Sequence, residues 1–349
     1  MIVFVDDRQI HHAFTLACTG MVSPSGFIHL EKRTLRQWIQ GAVVYYHDAR
    51  EEGMGDIKAT GWDGYELLDS GDGGKLERFG AWVISRPAPQ AIWRRRLPDE
   101  VWRQAHAHYT RESSGGGFWT MNGLPESWEV PWESFRFILK PTGFGHLGMF
   151  PEQQPLWRWV AQVIHANQHP LDLLNLFAYT GTMTLAAARA GARVCHLDAA
   201  RGVVDWGKEN AARVGCASLP IRWIVDDALK FIQREARRNN RYQAVILDPP
   251  SFGRGPKGQV WKLERDLPVL LDGILELLSA PRFVLISCHT PGVSPVALAN
   301  LLDMVNTSHA GMIEYGDMLQ TGAGTLPLSN GVYAVWRAPG TVPVASASG

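Results

Sequence analysis

The stretch Leu171–Asp198 constrains the fold of this chain more than any other part of the sequence. It opens with an apolar run that is short enough for a buried parallel strand. A turn that contains Gly181 follows, and then an Ala- and Leu-rich segment, Thr182–Ala190, that favours a helix. A second apolar run ends on Asp198. The order of strand, turn, helix, strand and acid predicts a doubly wound sheet with a ligand at the carboxyl ends of its strands.

The turn at Gly181 also predicts the kind of cofactor. Dinucleotide enzymes need G-x-G-x-x-G at this place so that the backbone can approach a pyrophosphate. Gly181 is flanked by Thr180 and Thr182 and has no further glycine at that spacing. We therefore expect a nucleoside cofactor without phosphates, S-adenosylmethionine (SAM), with Asp198 near its ribose hydroxyls. A βαβ unit with an ordinary helix-starting glycine is the alternative.

Strand and helix signals continue to alternate after this stretch. The predicted strands are Pro220–Val225, Ala244–Leu247, Phe283–Ser287, Glu314–Leu319 and Val332–Trp336, and the predicted helices include Val203–Val214, Leu229–Arg238 and Lys262–Leu278. Such alternation is typical of α/β proteins whose parallel sheet is covered on both faces. We predict a doubly wound, mostly parallel sheet of seven strands, in which the last two strands form an antiparallel pair.

The first part of the chain has a different composition. A length of 349 residues favours two domains, and we expect a small β-rich, substrate-binding domain over residues 61–145 before an α/β domain over 146–338. Residues 1–60 form an extension of unclear structure, and residues 339–349 a disordered tail. A helix is predicted over Leu97–Tyr109. The tryptophans near Arg94–Arg96 favour an aromatic core beside a solvated basic face, and base stacking is the alternative.

Charge and cysteine content disfavour several classes of protein. Lys and Arg number 34, as do Asp and Glu. This balance disfavours a protein that coats nucleic acid, but not one with a local basic face. No C-x-x-C pair is present, so neither a zinc site nor a disulfide framework is predicted, as in a reducing cytoplasm. The cysteines are Cys18, Cys195, Cys216 and Cys288. No apolar run could span a bilayer and no signal-peptide pattern is present, so we expect a cytoplasmic protein without a membrane partner.

The sequence Asp-Pro-Pro-Ser-Phe, residues 248–252, is the most specific signal in the chain. It follows a buried strand, and Pro249 and its neighbour fix a rigid turn there. The Asp248 carboxylate and the nearby carbonyls can accept hydrogen bonds from a planar NH₂ group, and Phe252 can stack on the ring that carries it. A proline-terminated strand with a buried aromatic is the alternative, but it leaves the acid at the strand end without a reason.

Together these motifs carry a family resemblance. Residues 175–181, Asp198-Ala199, Asp226-Asp227-Ala228 and residues 248–252 resemble a class I SAM-dependent methyltransferase with a Rossmann-like fold. Within that class the chain is similar to the bacterial 23S rRNA large-subunit methyltransferases that modify cytosine at carbon 5. The resemblance is firm over residues 146–336 and weaker over 68–140.

The resemblance implies a set of cofactor residues. Phe177, Tyr179 and Gly181 would form the wall beside the amino acid end of SAM, while Asp198 would bind the ribose and Asp227 the adenine amino group. The complete set is Phe150, Gln153, Asn175, Phe177, Tyr179, Thr180, Gly181, Asp198, Ala199, Asp226, Asp227, Ala228 and Asp248.

The resemblance also implies catalytic residues. Asp248 and Pro249 would position the acceptor. Cys288 stands where the resembling enzymes place a nucleophilic cysteine, whose thiolate adds to carbon 6 of cytosine and activates carbon 5, and His289 could lower the pKa of that thiol. The alternative is that Cys288 packs and that Asp248–Phe252 serve methylation of an exocyclic amine.

RNA, ribosomal RNA in particular, is the partner that the resemblance implies. The expected substrate contacts are Ser251, Phe252, Arg254 and Lys257. Three departures bear on this. The RNA-binding pattern usual at the start of such enzymes is missing, Glu152-Gln153-Gln154 replaces an aspartate-glutamine-arginine sequence, and Ser251 replaces a frequent lysine. The oligomeric state stays open, a homodimer included. A nicotinamide-dependent oxidoreductase and a non-catalytic RNA-binding module are the competing functions.

Overall fold

The computed structural model describes residues 55–112, 116–255 and 258–344, and all of these lie in one compact unit. Most of the predicted extension over residues 1–60 lies outside the described residues, as do Lys257, the side chain of Arg254 and residues 345–349.

The secondary structure of the described residues alternates as expected in the second half of the chain. The strands are β1 (Ile57–Ala59), β2 (Tyr65–Gly71), β3 (Gly74–Phe79), β4 (Trp82–Pro87), β5 (Ala107–Arg111), β6 (Gly117–Met121), β7 (Trp128–Trp132), β8 (Phe135–Leu139), β9 (Asp172–Leu176), β10 (Arg193–Asp198), β11 (Ile221–Val225), β12 (Tyr242–Leu247), β13 (Phe252–Arg254), β14 (Val260–Lys262), β15 (Leu278–Cys288), β16 (Met312–Gln320) and β17 (Leu328–Arg337). The helices are α1 (Asp99–Arg103), α2 (Gln154–His165), α3 (Thr182–Arg189), α4 (Arg201–Arg213), α5 (Ala228–Arg237), α6 (Leu263–Leu277) and α7 (Pro295–Ser308), and a 3₁₀ turn spans Pro151–Gln153.

The main sheet has the order β1-β16-β17-β15-β12-β9-β10-β11. The strands from β15 to β11 are parallel, and β17 runs antiparallel to both of its neighbours. This confirms the predicted α/β fold and its closing antiparallel pair. The sheet has one strand more than the predicted seven, because β1 pairs in parallel with the end of β16. Its Ile57 side chain is fully buried, so residues 57–59 belong to the main sheet rather than to an extension.

The central strands are buried on both faces, as a doubly wound sheet requires. On β9 the side chain of Leu173 packs in one apolar cluster, whereas those of Leu174 and Leu176 pack in the cluster on the other face. Each such leucine contributes about 1.5–3 kcal/mol by leaving water. Because these strands are parallel, one rigid end of the sheet carries the carboxyl ends of β9, β10, β11, β12 and β15.

The smaller sheets form the β-rich region predicted before residue 145. One has the order β2-β3-β4-β5-β6, and β7 pairs with β8. Trp102, Trp128 and Trp132 are buried, which favours the aromatic-core interpretation. The predicted helix over Leu97–Tyr109 is wrong in its second half: α1 ends at Arg103 and β5 begins at Ala107. From Ala107 to Thr110 buried side chains alternate with more exposed ones. This period of two is typical of a strand and not of a helix.

The predicted disordered tail is also wrong for residues 339–344. The Val344 N–H donates to Glu314 Oε2 at 2.8 Å, and the Val342 carbonyl accepts from Trp159 Nε1 at 2.9 Å. Val344 is fully buried, because its apolar side chain covers the main sheet. No helix in the described part of the chain is long and apolar enough to cross a membrane.

Candidate active site

The turn after β9 has a strained backbone. Phe177 and Tyr179 have φ values of +57° and +48°, and Gly181 has +85°. Left-handed residues other than glycine cost about 1–3 kcal/mol and persist where the surroundings hold them, often at functional sites. Here the Ala178 N–H donates to the Leu197 carbonyl at 3.0 Å. The sequence-predicted turn is therefore a fixed structure that starts α3 at the glycine.

Asp198 at the end of β10 is a second support of this turn. Its Oδ2 accepts from the Tyr179 N–H at 3.0 Å, and its Oδ1 accepts from the Ala200 N–H at 2.9 Å. Burial raises the pKa of the Asp198 carboxyl, and the backbone donors, Ala199 included, oppose that rise. The carboxylate is thus half-buried next to the turn, where it retains acceptor capacity because each oxygen carries two lone pairs.

The acids after β11 have different roles. Asp226 pairs with Arg234 at 2.6 Å. Asp227 caps α5, since its Oδ1 accepts from the Lys230 N–H at 3.0 Å, which is a typical contribution of about 1 kcal/mol. Neither acid, nor Ala228, lines the pocket described next, and their contact with adenine stays a prediction.

A narrow pocket with a volume of about 30 Å³, which we call the cofactor pocket, opens over the ends of β9 and β12. Its walls include Phe150, Gln153, Asn175, Phe177, Tyr179, Thr180, Gly181, Asp248 and Ser287. The structure therefore brings together eight of the predicted cofactor residues, while Asp198, Ala199, Asp226, Asp227 and Ala228 follow on neighbouring strand ends.

The Asp248 carboxylate is held from two sides. Its Oδ2 accepts from Gln153 Nε2 at 2.8 Å, and the same amide group reaches Ser287 Oγ at 3.2 Å. Its Oδ1 lies 3.3 Å from Nδ1 of His289. The turn beyond is fixed as well, because the Pro250 carbonyl accepts from Trp261 Nε1 at 2.7 Å.

Glu152 and His289 are functional candidates that sequence reasoning missed in these roles. His289 Nε2 lies 3.0 Å from Glu152 Oε1, and Glu152 is fully buried. Burial alone would lower the pKa of His289, but Asp248 and Glu152 outweigh it and raise that pKa to about 10. Burial would raise the pKa of Glu152, but His289 and Lys75 lower it to about 2. A histidine at the end of a parallel strand was the available sequence signal.

Cys288 is almost completely buried, with 1% of its surface exposed. It packs in the same apolar cluster as Val284 and Ile286, which precede it by four and two residues on β15. Because side chains alternate along a strand, Cys288 points to the face opposite Ser287, whose hydroxyl contacts Gln153. This placement favours the packing alternative.

Of the predicted substrate residues, the structure describes the side chains of Ser251 and Phe252. Ser251 Oγ is 2.8 Å from Thr290 Oγ1, and Phe252 is 53% exposed. Beside them a cleft with a volume of about 430 Å³ adjoins the cofactor pocket. Met149 and Phe150 line both cavities. The five-stranded sheet contributes Arg86, Tyr109 and Arg111 to the lining of the cleft. The other side chains that line it include Phe144, His146, Glu152 and His289.

The donor set of the pocket fits SAM. Tyr179 lines it, and its buried hydroxyl lies near the Gly148 backbone but forms no well-aligned hydrogen bond among the described residues. Carboxylates at the ends of β10 and β11 can accept from ribose hydroxyls and an adenine amino group, and the single glycine of the turn provides no pyrophosphate cradle. The residues that would hold the cofactor are those of the cofactor pocket, with Asp198 and Asp227 beyond it.

Comparisons with known proteins agree with this fit. Residues 102–311 match the S-adenosylmethionine-dependent methyltransferase family. The crystal structure of a SAM-dependent methyltransferase from Agrobacterium tumefaciens is 35% identical, covers 84% of this chain and 99% of its own, and has a TM-score of 0.78. A putative SAM-dependent methyltransferase from Streptococcus mutans, 15% identical with a TM-score of 0.62, covers 79% of this chain and 76% of its own and shares the fold.

Named relatives match over shorter stretches. Ribosomal RNA large subunit methyltransferase K/L of Shewanella frigidimarina is 28% identical over 223 residues, which cover 58% of this chain and 30% of the relative. Methyltransferase K of Neisseria meningitidis is 31% identical over 109 residues, 31% of each chain. The chain therefore spans under a third of these relatives. Since the family match covers more than half of it, the chain belongs to the S-adenosylmethionine-dependent methyltransferase family.

Proposed function

We propose that this methyltransferase modifies a base in RNA. The names of its relatives favour ribosomal RNA as the substrate. The observation that carries the proposal is the common wall of the cofactor pocket and the cleft, at Met149 and Phe150. Across that wall Asp248 in the pocket meets His289 in the cleft at 3.3 Å. An acceptor in the cleft would thus reach the cofactor beside a carboxylate.

The cleft suits an anionic, aromatic acceptor. Phe144 is 66% exposed and offers a face on which a base can stack. Arg86, Arg111 and His289 all line the cleft. After burial, which is the larger cause, these cations lower the pKa of His146 below its ordinary value. Arg111 is exposed and forms no ion pair within the described residues, so it can meet a phosphate.

The chemistry follows from this arrangement. SAM, when bound by the residues of the cofactor pocket, would supply a methyl group on a sulfonium sulfur. The methyl would pass to the acceptor atom, and the electron pair of the broken carbon–sulfur bond would stay on sulfur. The acceptor then gives up one proton to water or base. The chain's contribution is alignment: Gln153 and His289 orient Asp248, and Asp248 accepts a hydrogen bond from the acceptor's N–H group.

Among the acceptor atoms we favour an exocyclic amine over carbon 5 of cytosine. Carbon-5 transfer needs a thiolate beside the base. Cys288 is one of the residues around the cleft, but only 1% of it is exposed and it packs in an apolar cluster on the other face of β15. Asp248, in contrast, faces the pocket and accepts hydrogen bonds from N–H groups.

Replacing Cys288 by alanine is expected to keep turnover within roughly twofold, because the lost packing costs stability and not chemistry. Methyl transfer per enzyme and the melting temperature should be measured together. Cys195→Ala, at another buried cysteine on β10, is the matched control. A loss of turnover beyond about 100-fold in a folded Cys288→Ala protein with intact SAM binding would establish the thiolate route.

We also propose that the β-rich region over residues 61–145 forms the acceptor wall of the cleft, since β4 and β5 contribute Arg86, Tyr109 and Arg111 to it. The Arg86 guanidinium is held for this by Glu77 at 2.7 Å, and Glu77 is fully buried.

Replacing Arg111 by alanine should weaken RNA binding and reduce the slope of log affinity against log salt by about one, because one phosphate contact is lost. Fluorescence anisotropy at several salt concentrations gives both numbers. Arg193→Ala is the control, since that arginine pairs with Asp172 at the amino ends of β10 and β9, away from the cleft. Equal slopes for all three proteins would remove Arg111 from the RNA site.

A further inference from the structure

We propose that His289 is a positioning residue that fixes the orientation of Asp248, with Glu152 as the anchor on the far side of the imidazole ring. The inference rests on the proposed role of Asp248 toward the acceptor. No part of it depends on Cys288.

The three side chains form a line across the wall of the cleft. His289 Nδ1 is 3.3 Å from Asp248 Oδ1, and Nε2 is 3.0 Å from Glu152 Oε1. The other Asp248 oxygen accepts from Gln153 at 2.8 Å. Oδ2 thus has one hydrogen-bond donor, Oδ1 has the imidazole nitrogen as its ion-pair partner, and each oxygen keeps a further lone pair. Asp248 keeps acceptor capacity for a ligand, but its rotation is fixed.

The anchor is itself rigid. Glu152 Oε1 accepts from Asn330 Nδ2 at 2.6 Å, and Oε2 accepts from Gln320 Nε2 at 2.9 Å. Gln320 in turn accepts from Lys75 at 3.1 Å. Strands of two different sheets therefore hold Glu152, which is fully buried. An imidazole bound to it cannot turn away from Asp248 without breaking a buried charged hydrogen bond.

Only a protonated ring can serve both carboxylates, because neutral imidazole carries a single N–H. The charged state agrees with the pKa of His289, raised to about 10 by Asp248 and Glu152 against the effect of burial. The other titratable or charged groups around the line include His146, Lys75, Glu77, Arg86, Arg111 and Asp317. His289 therefore stays an imidazolium throughout the neutral pH range.

Two amide variants separate positioning from mere packing. Asparagine places its NH₂ near the site of Nδ1 and can still donate to Asp248, whereas glutamine places it near Nε2 and donates to Glu152. We expect His289→Gln to lower kcat roughly 10- to 100-fold, and His289→Asn to lower it less than about fivefold. KM for RNA and Kd for SAM should stay within about twofold. If His289→Gln and His289→Asn lose kcat equally, and each loss is explained by a lowered melting temperature, the inference is overturned.

A third variant tests the charge. Glu152→Gln removes one of the two carboxylates that retain the ring proton, so the pKa of His289 falls toward 6.5. Since a histidine loses its proton as pH rises through its pKa, kcat of this variant should decline between pH 7 and 9, where the wild-type enzyme stays flat. Nitrogen-15 NMR of the imidazole, with the ring protonated at pH 8 in the wild-type enzyme, reports the same change without any acceptor.

The NMR measurement keeps two failures apart. If the wild-type enzyme labels no RNA, the proposed substrate fails, and the imidazole titration still tests the hydrogen-bonded line. If the wild-type enzyme labels RNA but His289 is already neutral at pH 8, or Glu152→Gln keeps a flat profile, the role of His289 fails and the substrate stands.

Discussion

Replacing Asp248 by asparagine is expected to lower kcat for methyl transfer by roughly 100-fold. The variant loses the charge that accepts from the acceptor. Its NH₂ must also face either Gln153 Nε2, which donates to Asp248, or the ring of His289, whose Nδ1 lies 3.3 Å from the carboxylate. Hydrogen bonds to a charged group are worth about 1.5–3 kcal/mol each, and each 1.4 kcal/mol is about tenfold. Single-turnover methyl transfer gives the rate without product release.

The control for this change is Asp172→Asn. Asp172 lies at the opposite end of β9 and pairs with Arg193 on the surface, where an ion pair contributes about 0–1 kcal/mol. We expect wild-type turnover from the control. A folded Asp248→Asn enzyme that keeps more than half of the wild-type kcat would show that this carboxylate does not orient the acceptor.

Replacing Asp198 by alanine is expected to weaken SAM binding by roughly 100-fold. Two losses add: the carboxylate that would accept from the ribose, and the acceptors of the Tyr179 and Ala200 N–H groups that hold the strained turn. Each charged hydrogen bond again contributes about 1.5–3 kcal/mol. Isothermal calorimetry measures the affinity for SAM. Asp172→Ala serves as the control, because Asp172 lies at the opposite end of the strands.

The pH dependence of SAM binding should follow the same carboxylate. Burial raises the pKa of Asp198 above its ordinary value, so its protonation begins at a higher pH than for an exposed aspartate. As pH falls through that raised pKa, the charged acceptor is lost and the affinity should decrease. An affinity that is independent of pH on the acid side, together with normal binding by Asp198→Ala, would place the ribose elsewhere.

The fold could be predicted because its signals are local. The strand, turn, helix and acid of residues 171–198 lie within one short stretch, and the structure confirms them as β9, α3 and β10. The short strand β1 could not be predicted. Its three residues carry too little periodicity, and their partners on β16, which end at Gln320, are distant in sequence. The contacts of Val344 with Glu314 are likewise long-range.

The site was predicted in part for the same reason. Asp248 and the residues of the turn after β9 stand in recognisable motifs, whereas Glu152 becomes functional only through contacts with His289 and Asn330, residues 137 and 178 positions away. For Cys288 the predicted strand was right, but the face of that strand depends on register. The burial of Cys288 follows from the two-residue alternation that places Ser287 toward Gln153.

The central claim is that this enzyme moves a methyl group from SAM to a base in ribosomal RNA. The most direct measurement incubates it with methyl-labelled SAM and separated RNA, DNA, protein and small-molecule fractions, beside Asp248→Asn. We predict label in ribosomal RNA with the wild-type enzyme and roughly 100-fold slower labelling with the variant. Label confined to DNA, protein or small molecules, or SAM binding without transfer to any fraction, would contradict the claim.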